Sequence, residues 1–217
     1  MTQTLERITH PAKNSATHSI LWLHGLGADG HDFAPIIPPS EFTAPVRASS
    51  SPHAPIRPIT INNGYPMRAW YDITQLNINA RSSDPQSIHT SHQQLLKLIE
   101  EEQENGIPAK NILLAGFSQG GAMALHTGLR TPCAGILALS CYLLMPETLT
   151  PATNPNLPIL QMHGTQDPIV SYSLGQQAHN TLIQLNYQPQ WQSYPMAHEV
   201  NSEQIQAIAQ WLNQLGF

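Results

Sequence analysis

Short apolar runs and longer amphipathic ones take turns along this chain, and the alternation predicts an architecture before any motif is considered. Ser19 to His24, Ile112 to Phe117, Ala134 to Ser140, Ile159 to His163 and Gln190 to Tyr194 read as strands. Between them, Gln86 to Glu104 carries Ile88, Leu95, Leu96 and Ile99 at helical spacing and stops at Asn105-Gly106, with Pro108 beyond. Tyr172 to Leu185 and Ser202 to Leu215 read as further helices, the second with Ile205, Ile208, Ala209 and Leu212 on one face. This order predicts βαβ crossovers and an α/β fold with a mostly parallel sheet. The proline-rich stretches Ala34 to Pro58 and Pro146 to Pro158 are expected as surface loops that shape a site.

Composition narrows the function classes. At 217 residues, 41% of them hydrophobic, the chain is long enough for one sizeable core, and residues 1–217 are expected to form a single domain. A net charge of −5 with scattered basic residues gives no footprint for nucleic acid or an anionic membrane. Met1 to Arg7 lack the basic start and apolar run of a secretory signal, and no later stretch approaches a membrane span. A soluble cytoplasmic protein is expected. Cys133 and Cys141 are too few for a disulfide framework and fit no metal spacing. Two small buried or half-buried thiols are the default reading, with Cys141 kept as a second candidate nucleophile although no helix start or elbow surrounds it.

The candidate chemistry centres on Gly116-Phe117-Ser118-Gln119-Gly120, which follows an apolar strand and opens the helix-like segment Gly121 to Leu125. A strand, a sharp turn and a helix in that order form a nucleophile elbow that holds the Ser118 hydroxyl at the top of a sheet. Acyl transfer also needs a base and a group to orient it, and α/β-hydrolases supply them in the order Ser, Asp or Glu, then His. Asp167 follows the strand ending at His163-Gly164, where it reads equally as the orienting acid or as a turn-former before Pro168. Among eleven histidines, His198 lies on the loop before the final helix, while the rival His163 precedes Asp167 and would break the chain order. Two backbone donors for an oxyanion are assigned to Gln119, the residue after the serine, and Leu26, in the His24-Gly25 turn after an early strand. A metal site built from His24, His31 and Asp32 is the weaker reading of that turn, because no second ligand group is evident.

With these pieces placed, the chain resembles the carboxylesterase, phospholipase and acyl-protein thioesterase family of small α/β-hydrolases over nearly its whole length. The resemblance rests on LHGLGADGHDF from Leu23, RPITINNGYPMRAWYDI from Arg57 and GIPAKNILLAGFSQGGAMAL from Gly106. It closes with HGTQDPIV from His163 and YPMAHEV from Tyr194. It implies an α/β-hydrolase fold with helices on both faces of the sheet and a minimal lid. It also implies a triad of Ser118, Asp167 and His198 with Leu26 and Gln119 as oxyanion donors, no cofactor or metal, and a homodimer. The AWYDI segment at Ala69 to Ile73 places it nearer the bacterial carboxylesterases. Two departures stand out. Val46 to Ser51 precede Pro52-His53-Ala54-Pro55 where the family carries an apolar strand, so a short strand is expected there. Around the base, Ala197 stands in place of Gly and Glu199 in place of the common Ser.

Trp70, Leu76, Ile78, Leu143, Leu144, Met145 and Val170 are the candidates for an apolar acyl groove. Hydrolysis of short-chain carboxylic esters is the first expectation for the reaction. Long-chain thioesters or lysophospholipids come second, and a non-catalytic acyl-ligand binder is the remote third.

Overall fold

The computed structural model describes residues 5–9, 16–32, 46–77 and 80–217. In chain order the strands are β1 (Arg7–Thr9), β2 (His18–Leu23), β3 (Val46–Pro52), β4 (Ile56–Ile59), β5 (Tyr65–Arg68), β6 (Ile73–Asn77) and β7 (Ala80–Ser83). Helix α1 (Pro85–Glu104) then leads into β8 (Ile112–Phe117), α2 (Gln119–Gly128), β9 (Gly135–Leu139), β10 (Ile159–Gly164), α3 (Tyr172–Gln184), β11 (Gln190–Tyr194) and α4 (Ser202–Gln214).

Seven strands form one sheet in the order β1-β3-β2-β8-β9-β10-β11. Every neighbouring pair is parallel except β1 with β3. The apolar runs are continuous because helices cover both faces, so successive side chains enter different cores. Leu21, Leu23, Ile112, Leu114 and Ile136 join one cluster with Ile88, Leu95 and Leu98 of α1 and Leu125 of α2. Ile20, Trp22, Leu113, Ala115 and Leu137 face the other way, onto Ile208, Trp211 and Leu212 of α4. Parallel pairing brings the carboxyl ends of β2, β8, β10 and β11 to one edge, where a loop from each can meet.

The stretch from Ala34 to Pro58 departs from the loop expectation over most of its described part, with His53 to Pro55 a loop between two strands. Val46–Pro52 is a seven-residue strand that pairs with β2 on one side and β1 on the other. It is also longer than the short strand expected from its serines. Small buried residues such as Ser50 and Ser51 fit between covered faces without showing an apolar run. Pro52 is the last residue of the strand, two beyond Ser50, where its pairing with β2 stops. Ile56–Ile59 forms a hairpin with Tyr65–Arg68. Residues 34–45 lie outside the described set. Among the described residues no helix is long and apolar enough to cross a membrane.

Candidate active site

Ser118 stands between β8 and α2 with φ 55° and ψ −117°, a conformation that non-glycine residues rarely adopt. Its N–H donates to the Leu139 carbonyl of β9 at 2.8 Å, and its own carbonyl accepts from Ala122 N–H at 3.0 Å as the helix begins. Two glycines make this crossing feasible. A Cβ on Gly116 would lie 2.4 Å from the Gly120 carbonyl, and one on Gly120 would lie 2.0 Å from the Leu23 carbonyl. The start of α2 is therefore pressed between the ends of β8 and β2.

Asp167 is delivered by the loop after β10, which is strapped to the exit of β11. Thr165 N–H donates to the Tyr194 carbonyl at 2.8 Å and Gln166 N–H to the Met196 carbonyl at 3.1 Å. Asp167 Oδ1 accepts from the N–H groups of Ile169 and Val170 at 2.8 and 2.9 Å. Its Oδ2 receives His198 Nδ1 at 2.6 Å. Burial penalises this carboxylate, but the hydrogen bond and charge of His198 and the two N–H donors outweigh it, and its pKa falls below the ordinary Asp value. The ionised acid accepts the Nδ1 proton and leaves Nε2 as the basic nitrogen of the neutral ring.

The His198 ring rests on Phe117 at 4.6 Å between centroids. It shares a cleft of about 500 Å³ with Ser118, walled by Leu26, Ala28, Phe117, Ile169 and Val200, with Asp32 and Glu199 also on the lining. Gln119 is the first residue of α2, where a backbone N–H has no partner inside the helix. Leu26 borders the cleft from the loop after β2. A serine, a carboxylate-paired imidazole, the loop at Leu26 and the N-terminus of α2 gather at one sheet edge, an arrangement that can carry out acyl transfer.

The proposed acyl groove is corrected. Trp70 and Val170 are fully buried and Leu144 nearly so, all within the core on one face of the sheet, and Leu143 and Met145 pack against that core from its edge. None of these lines the cleft. Leu76 lies on β6 with its side chain outside the described set, and Ile78 lies outside the described residues. Of the residues that do line it, Leu26, Ser118 and His198 were named from sequence, whereas Phe117, Ile169 and Val200 were not and Glu199 was noted only as a departure, although all four are chain neighbours of Ser118, Asp167 and His198.

The rivals take structural posts. His163 is buried, with Nε2 bonded to the Val170 carbonyl at 2.9 Å and 3.5 Å from Asp167 Oδ2. Burial raises the Cys133 thiol to about 12 and pushes the fully buried Cys141 higher still, which holds both protonated. Both ring nitrogens of His24 bond within the chain, to Gly25 and Ala54. Among the described residues no group of three His, Cys, Asp or Glu side chains is arranged to hold a metal ion.

The phospholipase/carboxylesterase family model matches residues 4–215. Acyl-protein thioesterase 1 of Neurospora crassa is 37% identical over 94% of this chain and 89% of its own length. The same-named protein of Gibberella zeae is 33% identical over 94% of this chain and 93% of its own length. Among solved structures, Arabidopsis thaliana SOBER1 superimposes with a TM-score of 0.82 at 29% identity, covering 91% of this chain and 98% of that one.

Proposed function

The chain belongs to the phospholipase/carboxylesterase family of α/β-hydrolases, and on that premise we propose that it hydrolyses acyl thioesters and esters through a Ser118-bound acyl intermediate. The observation that carries this reading is the 2.6 Å contact between His198 and Asp167 beside a cleft that the imidazole shares with Ser118. In the first step His198 Nε2 takes the Ser118 proton as Oγ attacks the acyl carbonyl, while Asp167 holds the tautomer and balances the imidazolium. The N–H groups of Leu26 and Gln119 receive the oxyanion, and His198 passes its proton to the departing thiol or alcohol. Water activated by the same base then releases the carboxylic acid. The whole chain is taken to act as one domain.

Thioesters are placed ahead of short-chain esters, reversing the order that the motifs alone favour. The support is the naming of the Neurospora crassa relative, 37% identical, as an acyl-protein thioesterase. The thioester also makes the smaller demand on His198, since a thiol leaves more readily than an alcohol.

A panel of acyl thioesters and oxyesters of matched chain length, run beside Ser118→Ala, tests both halves of the reading. Turnover should vanish in the variant, and kcat/KM should be higher for long-chain thioesters than for short esters. A serine-directed fluorophosphonate should label the native protein and spare Ser118→Ala. An unlabelled, inactive native protein would instead point to an acyl-ligand binder.

A further inference from the structure

The AWYDI segment carries part of the family resemblance yet has no post in the mechanism above. Its tryptophan is fully buried and bonds both to Gln119 at the start of α2 and to the loop that carries Leu26. The Trp70 backbone N–H donates to Gln119 Oε1 at 2.8 Å, and Gln119 Nε2 donates to the Tyr71 carbonyl at 2.7 Å. The Gln119 amide thus meets the 70–71 segment with both of its polar atoms. On the other side, the Trp70 indole Nε1–H donates to the His24 carbonyl at 2.9 Å.

His24 carries the constraint onward. Ala54 N–H donates to its Nε2 at 3.0 Å, which makes that nitrogen the acceptor and leaves the ring proton on Nδ1. Nδ1–H then donates to the Gly25 carbonyl at 2.7 Å. That carbonyl and the Leu26 N–H belong to one planar peptide unit and point in opposite directions. Fixing the oxygen therefore fixes where the N–H aims.

Resting on the acyl-transfer reading above, we propose that Trp70 and His24 are positioning residues that lock the Leu26 and Gln119 N–H donors into one rigid frame for the oxyanion. The frame is built from neutral, buried groups: His24 is 1% exposed, Trp70 is fully enclosed and Gln119 is 2% exposed. It is therefore set before substrate arrives. Oxyanion donors that need no rearrangement as charge develops are the ones that lower the barrier most.

The test uses the full chain with Trp70→Phe, His24→Asn and His24→Gln, each beside Ser118→Ala. Trp70→Phe keeps an aromatic ring but loses the indole donor. In His24→Asn the amide nitrogen falls where Nδ1 stood and still reaches the Gly25 carbonyl, whereas His24→Gln places its amide nearer Nε2. Two readouts separate positioning from general support: kcat against KM, and the inhibition constant of an acyl trifluoromethyl ketone, which forms a serine-bound oxyanion. Trp70→Phe and His24→Gln should lose about 10- to 100-fold in turnover and in ketone affinity together, with KM within about twofold. His24→Asn should keep more of both than His24→Gln.

Native turnover and ketone affinity in Trp70→Phe would overturn the proposal, as would a loss confined to KM or His24→Asn performing no better than His24→Gln. Where Trp70→Phe fails to fold, the His24 pair decides. Undiminished hydrolysis by Ser118→Ala would remove the acyl-transfer reading and this inference with it. An inactive Ser118→Ala beside an unimpaired Trp70→Phe would remove only the positioning role.

Discussion

The Asp167 carboxylate divides its two oxygens between the loop and the imidazole: Oδ1 closes the turn through Ile169 and Val170, and Oδ2 meets His198. Asp167→Asn separates the two tasks. The amide oxygen can keep the turn, but the amide nitrogen offers His198 a donor where an acceptor stood, which favours the wrong ring tautomer. Turnover should fall by about four orders of magnitude while the thermal midpoint moves by only a few degrees. Measuring turnover and unfolding on the same preparation checks both, and near-native turnover would sink the role of Asp167. Asp72 is no substitute, since its oxygens receive the N–H and hydroxyl of Thr60 at 2.8 and 2.6 Å. Ser118, Asp167 and His198 are nominated together from sequence because the elbow and the chain order constrain them jointly, and the structure sets Asp167 against His198 and His198 in one cleft with Ser118. Trp70 and Val170 were misplaced because an apolar side chain looks the same in a core as in a cleft. Only the enclosing neighbours decide, and those come from distant parts of the chain.

At the scale of elements, the elbow and the cap of α1 make a contrast. Gly120→Ala would set a methyl 2.0 Å from the Leu23 carbonyl, so α2 must slide off β2 and carry Ser118 and the Gln119 N–H with it. A stability loss of roughly 1–3 kcal/mol and a drop in turnover by a factor of about 100 or more are expected together. At α1, Asp84 caps the helix by accepting from Ser87 N–H at 2.8 Å and Gln86 N–H at 3.4 Å. Asp84→Ala should cost about 1 kcal/mol in urea denaturation with turnover unchanged, because no residue at that helix end lines the cleft and Ser87 Oγ still accepts from Asp72 N–H. Loss of activity at Asp84→Ala equal to that at Gly120→Ala would mean that the elbow is not specially constrained. Helices α1, α3 and α4 were legible from their helical periodicity, and the central strands from short continuous apolar runs. The strand Val46–Pro52 was not, since Ser50 and Ser51 are enclosed for their small size rather than their hydrophobicity, and its place is set by pairing with β1 and β2.

At the scale of the whole molecule, the buried histidines His24, His126 and His163 and the half-buried His92 share one sign among the described residues. Burial lowers the pKa of His24, His92 and His163, and that of His126 to about 3, with Arg130 and His92 adding to the last. The His126 ring meets His92 edge-on at 5.4 Å between α2 and α1. In the unfolded chain each histidine takes a proton near pH 6.5, whereas the folded protein keeps these neutral. The unfolded state therefore binds more protons below pH 6.5, and stability must fall as pH drops through that value. Asp167 acts in the same direction at lower pH: its depressed pKa stabilises the fold above the ordinary Asp range, and that contribution is lost as acid protonates it. Urea unfolding from pH 8 to pH 5 should thus be nearly flat down to pH 7 and then fall steeply, with His126 alone accounting for about 2 kcal/mol between pH 7 and pH 5. His126→Leu removes one of the protons and should flatten that slope by a similar amount, at whatever absolute stability the variant has. A native profile that stays level to pH 5, or a variant with the same slope as the native protein, would show that these rings take up protons inside the fold.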